Sequence, residues 1–393
     1  MLRDSGSYTA TEAARIVAFD RARTFTTLLV VIHHSVVNFT YFGNGDPMRW
    51  LGFDLVVLFN DSFFMAFMFL ISGLFVHESL TRRGAAGYLR RRAWRLGVPL
   101  LISIFVLIPI AYYASFLRYH LPGTTDFNFF HFWWHTITIG PWPSGQAWFL
   151  WVLLAFDIVA AAIWSMAPKI LPALGRLIAA LRNRPITAFV AFLIVSIASY
   201  LPLHLAFGDG AWFEPGHYPF PIQTSRILLY PAYFFTGVGI GVISLRAGIL
   251  AEKGEIAKRW PIWLVFAVLF YGAILLLVYA HHNWIANFAS PALWWKIAYG
   301  VAFASYSAAM AFTVPATSLR LAHSSLKLLD AMQPQAYGIY LLHYIFIIWL
   351  QYFVYDHSWP AFVKFVVVFV GTLSGSWVLT VGLRKIPVVA RMI

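Results

Sequence analysis

Four ionisable side chains, His33, His34, Asp157 and His343, stand inside long apolar runs of this 393-residue sequence. Each costs about 3 kcal/mol or more to place in a bilayer, so each is a candidate functional site. In the segment FDRARTFTTLLVVIHHS, Asp20, Arg23 and His34 are spaced by 3 and 11 residues. At about 100° per residue, eleven steps return His34 to within about 20° of Arg23, so the three share one helical face while His33 points elsewhere. The helical rise of about 1.5 Å per residue sets His34 roughly 16 Å from Arg23, near mid-membrane, with Arg23 at the edge. A half-buried imidazole there can take the proton of a hydroxyl acceptor as a general base. The plain alternative is a histidine hydrogen-bonded to a neighbouring helix.

The segment YLRRRAWRLGVPLL places Arg92 and Arg95 three apart on one face at the start of an apolar run. Two guanidiniums can hold phosphates bidentately, or they can anchor the helix end to anionic lipid headgroups. Asp157, about ten residues into a span, is either part of a proton path or a protonated packing residue. His131 and His135, in HFWWH, have the spacing of a helical metal pair but no fixed third ligand, so no metal is expected. Gly237, Gly239 and Gly241, and the pair Gly371 and Gly375, lie on spans and point to close helix packing rather than a nucleotide loop. With no cysteine in the chain, no thiolate can ligate a metal or carry an acyl group.

Apolar residues make up 61% of the chain and charged residues 11%, with a mean hydropathy of +0.73. An ordinary soluble domain has about 25% charged residues, so a water-soluble globule is excluded. The +13 formal charge is spread in short clusters between apolar runs, which argues for membrane orientation rather than a nucleic-acid partner. Runs long enough for a bilayer core about 30 Å thick fall near 25–42, 56–77, 97–117, 147–167, 187–206, 226–245, 261–281, 291–314, 336–355 and 361–383. The second is interrupted by Asn60 and Asp61. The expected fold is therefore an all-α integral membrane protein of about ten transmembrane helices. Of the 28 Lys and Arg, all but Arg49, Arg118, Arg226, Lys296 and Lys364 fall on the side that carries both termini, which makes the termini cytoplasmic. One membrane-embedded domain over 1–393 is expected, with a short cytoplasmic segment to about residue 22, no cleavable leader, and an outward stretch from about Leu117 to Gln146 as its longest connection. The outward loops are rich in Trp, His, Pro and Gly, suited either to stacking on a sugar or to an interfacial aromatic belt.

In order along the chain, FDRARTFTTLLVVIHHS, FFMAFMFLISGLF, YLRRRAWRLGVPLL, AWFLWVLLAFD and YGIYLLHYIF resemble the landmark segments of the acyltransferase 3 family. Its members are ten-helix inner-membrane proteins that move acetyl, succinyl or other short acyl groups from cytoplasmic coenzyme A thioesters to hydroxyls of glycans or small molecules. The family's Arg, ten residues, His motif falls on Arg23 and His34, with Asp20 matching the preceding acidic residue. Its Arg-x-x-Arg pair falls on Arg92 and Arg95, followed by Pro99, and the resemblance implies that this pair helps engage the acyl-CoA donor. The Ser-Gly of the second helix is Ser72 and Gly73, the Trp-Phe opening the fourth is Trp148 and Phe149, and the Tyr-x-x-His of the ninth is Tyr340 and His343. FNDSFFMAFMFLISG and RLGVPLL look like the periplasmic glucan succinyltransferase branch, and the fused hydrolase-like domain of the lipopolysaccharide O-acetyltransferases has no counterpart in this sequence.

The expected function is transfer of a short acyl group of acetyl or succinyl type from acyl-CoA to a hydroxyl of a glycan or small molecule. His34 acts as base, Asp20 positions Arg23, and Arg92 and Arg95 engage the donor. The rival class is a proton-coupled transporter or lipid flippase, which intramembrane His and Asp would also suit. That class commonly carries an inverted repeat with interrupted helices in both halves, and none is visible.

Overall fold

The computed structural model describes residues 10–43, 45–119, 126–214, 216–243, 248–284, 291–321, 324 and 326–393. The first nine residues with Arg3, the side chain of Arg15, the start of the outward stretch at 120–125, and Arg246 lie outside what it describes.

Lipid offers the backbone no hydrogen bonds, so a chain this apolar must satisfy its peptide groups inside helices. It does so as α1 (Ala10–Val36), α2 (Leu51–Asp61), α3 (Phe64–Gly73), α4 (Val76–Arg92), α5 (Val98–Ile102), α6 (Ile108–Tyr119), α7 (Phe129–Thr138), α8 (Trp148–Met166) and α9 (Ile170–Ala179). There follow α10 (Pro185–Phe207), a small antiparallel pair β1 (Trp212–Phe213) and β2 (Ile222–Gln223), α11 (Leu229–Val242), α12 (Glu255–Lys258), α13 (Trp260–Trp284) and α14 (Leu293–Arg320). The chain closes with α15 (Lys327–Met332), α16 (Ala336–Tyr355), α17 (Ala361–Leu383) and α18 (Pro387–Ala390). Among the described residues, eight helical stretches are long and apolar enough to cross a membrane. The protein is an all-α, multi-pass membrane protein. The two further spans expected near 25–42 and 226–245 fall on α1 and α11. The first carries Asp20, Arg21 and Arg23 within its 27 residues, and the second has 14 residues, about 21 Å of helix.

The second span is broken where the sequence reads Asn60–Asp61: α2 stops, the chain turns, and α3 begins at Phe64. The break leaves the Asp61 carboxylate to accept from Arg226 Nη1 at 3.0 Å, while Asn60 Nδ2 reaches Leu29 O at 3.4 Å. Beyond the break, α3 runs against α11 with no side chain between the backbones. A β-carbon on Gly237 would overlap Leu70 O, one on Gly241 would overlap Leu74 O, and one on Gly73 would overlap Phe234 O. Gly371 and Gly375 instead leave room for the side chains of Leu350 and Phe346 where α17 meets α16. Both glycine patterns are packing devices.

The stretch from Leu117 to Gln146 departs from the expected outward loop. After 120–125 it forms α7, which runs back alongside α6. The Phe129 and Phe132 rings pack on Tyr113, with centroids 5.2 and 5.5 Å away. Trp133 Nε1 donates to Phe105 O at 2.8 Å, and Phe105 lies 14 residues, about 21 Å of helix, behind Tyr119. Trp142 Nε1 donates to Ile104 O at 3.1 Å. These two carbonyls belong to a wider, π-type turn at Ser103–Leu107, where the helical ladder leaves backbone acceptors for the indoles. A Trp-rich segment can therefore fold back to membrane depth because it carries its own donors for an irregular helix.

Two ion pairs tie α1 to the end of the chain. Arg21 Nε meets Asp330 Oδ1 at 2.6 Å beside α15, and beyond the other end of α1 the buried Lys364 meets Asp46 at 2.8 Å and Tyr355 O at 3.0 Å. Past the end of α10, Asp209 accepts from the Tyr200 hydroxyl at 2.7 Å and the Ser225 hydroxyl at 2.8 Å and pairs with His204 at 3.2 Å.

Candidate active site

α1 and α16 cross so that His34 faces His343 and Tyr344, with ring centroids 5.5 and 5.3 Å apart. The crossing is fixed by polar bonds: Gln351 Nε2 donates to His34 O at 2.9 Å, and Asn38 Nδ2 donates to Gln351 Oε1 at 2.7 Å. His343 is fully buried, and its Nδ1 lies 2.6 Å from Tyr340 O. A carbonyl can only accept, so Nδ1 carries the hydrogen and the neutral ring's Nε2 keeps a bare lone pair, which has no hydrogen-bond partner among the described residues. His33 turns the other way, with its ring 5.2 Å from that of Phe64. The helical-face argument thus places both histidines as the structure has them.

One helical length away, the face of α1 that carries Asp20 and Arg23 opens onto a cavity of about 950 Å³. Its lining includes Arg23, Arg83, Arg90, Arg91, Arg95, Arg384 and Arg391 against one acidic side chain, Asp20. Asp20 accepts from Arg23 Nη1 at 3.3 Å and from Gln333 Nε2 at 2.9 Å, which holds Arg23 at the cavity wall. A second cavity of about 360 Å³ shares Arg23, Arg83, Arg91, Arg95 and Tyr337 with the first and adds Ser72, Arg92 and Phe149. Between its inner wall and the histidines stands Tyr340, whose ring lies 5.9 Å from both Phe149 and His343. From Tyr337 to His343 is six residues of α16, about 9 Å.

Arg92 and Arg95 part company. Arg92 Nε meets Asp157 Oδ2 at 3.1 Å and the Tyr88 hydroxyl at 3.2 Å, and Tyr88 donates in turn to Asp157 Oδ1. Asp157 has no exposed side-chain surface, so its charge is balanced from within by Arg92. Arg95 is exposed; Tyr337 donates to its backbone carbonyl at 2.6 Å, and its guanidinium projects among the other cavity arginines.

The remaining sequence candidates scatter. Ser72 lines the second cavity, whereas Trp148 stacks on Tyr230 at 5.6 Å outside it. The Tyr340 hydroxyl donates to Gln146 O at 2.5 Å, and Gln146 Nε2 donates to Leu341 O at 2.7 Å, a reciprocal latch between α16 and the start of α8. His131 pairs with Asp126 at 2.5 Å, and among the described residues no group of three or more His, Asp or Glu side chains gathers to hold a metal. Sequence reasoning missed Tyr88, Tyr112, Tyr337, Tyr344 and Gln351. Tyr337 and Tyr344 are within reach of the Tyr-x-x-His motif by helical spacing, since they lie three or four residues from Tyr340 on the same face.

A family model described as an acyltransferase domain matches residues 16–381, which takes in Arg21 and Arg23 of α1, the histidine crossing, the second cavity, and the first cavity except for Arg384 and residues 390–393. The chain matches none of the curated proteins with which it was compared. With the model covering all but the chain's two ends, this membrane protein belongs to the acyltransferase 3 family and is an acyltransferase that acts on groups other than aminoacyl groups.

Proposed function

We propose that the protein sits in the inner membrane with both termini cytoplasmic and moves a short acyl group, acetyl or succinyl, from cytoplasmic acyl-CoA to a hydroxyl of a glycan or small molecule. The observation that carries this reading is the charge of the two joined cavities. Nine arginines against Asp20 and Glu78 suit the phosphates of coenzyme A, and guanidiniums bind phosphate bidentately. Arg95 and Arg23 engage the donor directly. Arg92 acts through its ion pair with Asp157, which fixes the cavity wall from which Arg95 projects.

The thioester end of the donor then reaches past Tyr337 and Tyr340 toward His34. His34 takes the proton of the acceptor hydroxyl as its oxygen attacks the thioester carbonyl; the C–S bond breaks, and the departing thiolate receives that proton as coenzyme A. A base of this kind contributes about 10² to 10⁴ in rate.

Coenzyme A release by purified protein in nanodiscs, offered acetyl-CoA and succinyl-CoA, tests the reading. Release is expected from wild type, near background from His34→Ala, and at raised KM from Arg95→Ala. Full release by His34→Ala would remove the histidine from the mechanism, and no binding of either thioester by wild type would remove the donor.

A further inference from the structure

The Tyr344 ring that packs on His34 leads away from the arginines. Its hydroxyl lies 3.2 Å from that of Tyr112, with ring centroids 5.9 Å apart. Tyr112 in turn lines a crevice of about 560 Å³ between α6 and the folded-back α7. The crevice lies toward the opposite end of the bundle, since Tyr112 is 17 residues, about 25 Å of helix, from Arg95. Its volume is in the range of small-molecule sites, about 300 to 1,000 Å³.

The lining of the crevice differs in kind from that of the basic cavities. Ser115, His131, His135 and Thr136 offer hydroxyl and imidazole edges, and Phe116 and Phe132 offer ring faces. Among the described residues that line it, the only fixed charge is Asp126, already bonded to His131. Hydroxyl and imidazole groups around aromatic faces, without a fixed cation, select an uncharged polyhydroxyl compound whose C–H faces stack on rings.

We propose that this crevice binds the hydroxyl-bearing acceptor, a neutral sugar of one to three rings, and that the Tyr112–Tyr344 pair is the gate through which the acceptor hydroxyl reaches His34. The proposal rests on the acyl-transfer reading above, and it gives α7 a purpose: the re-entrant helix forms the wall of the acceptor site. It also separates the two substrates by charge and by side, with the phosphates of the donor at one end and the neutral acceptor at the other.

The absence of cysteine makes a clean test possible. Ser115→Cys places the sole thiol of the chain on the crevice wall, and a membrane-impermeant, charged methanethiosulfonate can block it from the side opposite the arginines. Dithiothreitol removes the label and touches nothing else. Binding of glucose, galactose, mannose and their di- and trisaccharides is measured on protein in nanodiscs with no thioester present. At least one sugar is expected to bind unlabelled Ser115→Cys, to lose tenfold or more in affinity on labelling, and to regain it with dithiothreitol. Sugar binding untouched by the label, or no binding by any sugar of the set, would overturn the proposal. Failure of the acyl-transfer reading has a different signature: sugar binds and is blocked by the label, but no thioester is consumed.

Discussion

Arg92 and Arg95 share a helical face in the sequence yet end in different electrical states, because only Arg92 finds a carboxylate. Removing a partner from a buried pair costs several kcal/mol, whereas removing an exposed cation costs little stability. Arg92→Ala strands the Asp157 carboxylate and is expected to lower stability by roughly 3 kcal/mol in denaturant titrations. Arg95→Ala is expected to leave the unfolding midpoint in place and to act on donor KM alone. The pairing was not legible from the sequence, since 65 residues separate Arg92 from Asp157 and Arg92 is one of four arginines in its cluster. The His34 alignment was legible because helical geometry fixes it within one element. At Asp209 a different balance holds: burial pushes the carboxyl up, but the His204 hydrogen bond and the Arg226 charge outweigh it and hold it at about 2. A carboxyl held below its ordinary value of 3.8 stabilises the fold above about pH 4 and loses that contribution as pH falls toward 2. Asp209→Asn is expected to flatten this acid-side decline in thermal midpoint between about pH 4 and pH 2.

Helices were readable from apolar runs almost to the residue, as α10, α16 and α17 show against the expected 187–206, 336–355 and 361–383. Other helices depart: α1 runs Ala10–Val36 against the expected 25–42, α2 and α3 divide the expected 56–77, and the Trp, His and Phe of α7 read as an interfacial loop because the Ile104 and Phe105 carbonyls that receive its indoles lie elsewhere in sequence. A composition typical of the membrane surface thus served a helix folded back along α6. The α3–α11 crossing is the element most sensitive to volume, since a side chain on Gly237 would overlap the Leu70 carbonyl. Gly237→Val is expected to cost at least the 1–3 kcal/mol typical of overpacking, measured as loss of monodisperse protein on gel filtration, while Gly272→Val, at a position with open space, is tolerated.

Across the whole molecule, the proposed sidedness predicts that a single cysteine replacing Arg176 or Arg184 reacts with an impermeant maleimide only in inside-out vesicles, whereas one replacing Ser115 reacts only from the other side. The opposite pattern would invert the protein. The clasps on α1 also constrain how the molecule is made. Arg21 waits for Asp330, Asp20 for Gln333, Asn38 for Gln351 and Asp46 for Lys364, partners between 309 and 318 residues away. During synthesis Arg21, Asn38 and Asp46 therefore wait for these partners until α15, α16 and α17 have left the ribosome, while Asp20 holds only its local pair with Arg23. Contacts that close so late make folding slow and expose intermediates. A chain stalled before α16 would hold most of the arginines of the donor cavity but have no second histidine and no gate, so translation itself delays assembly of the site until its last two long helices arrive.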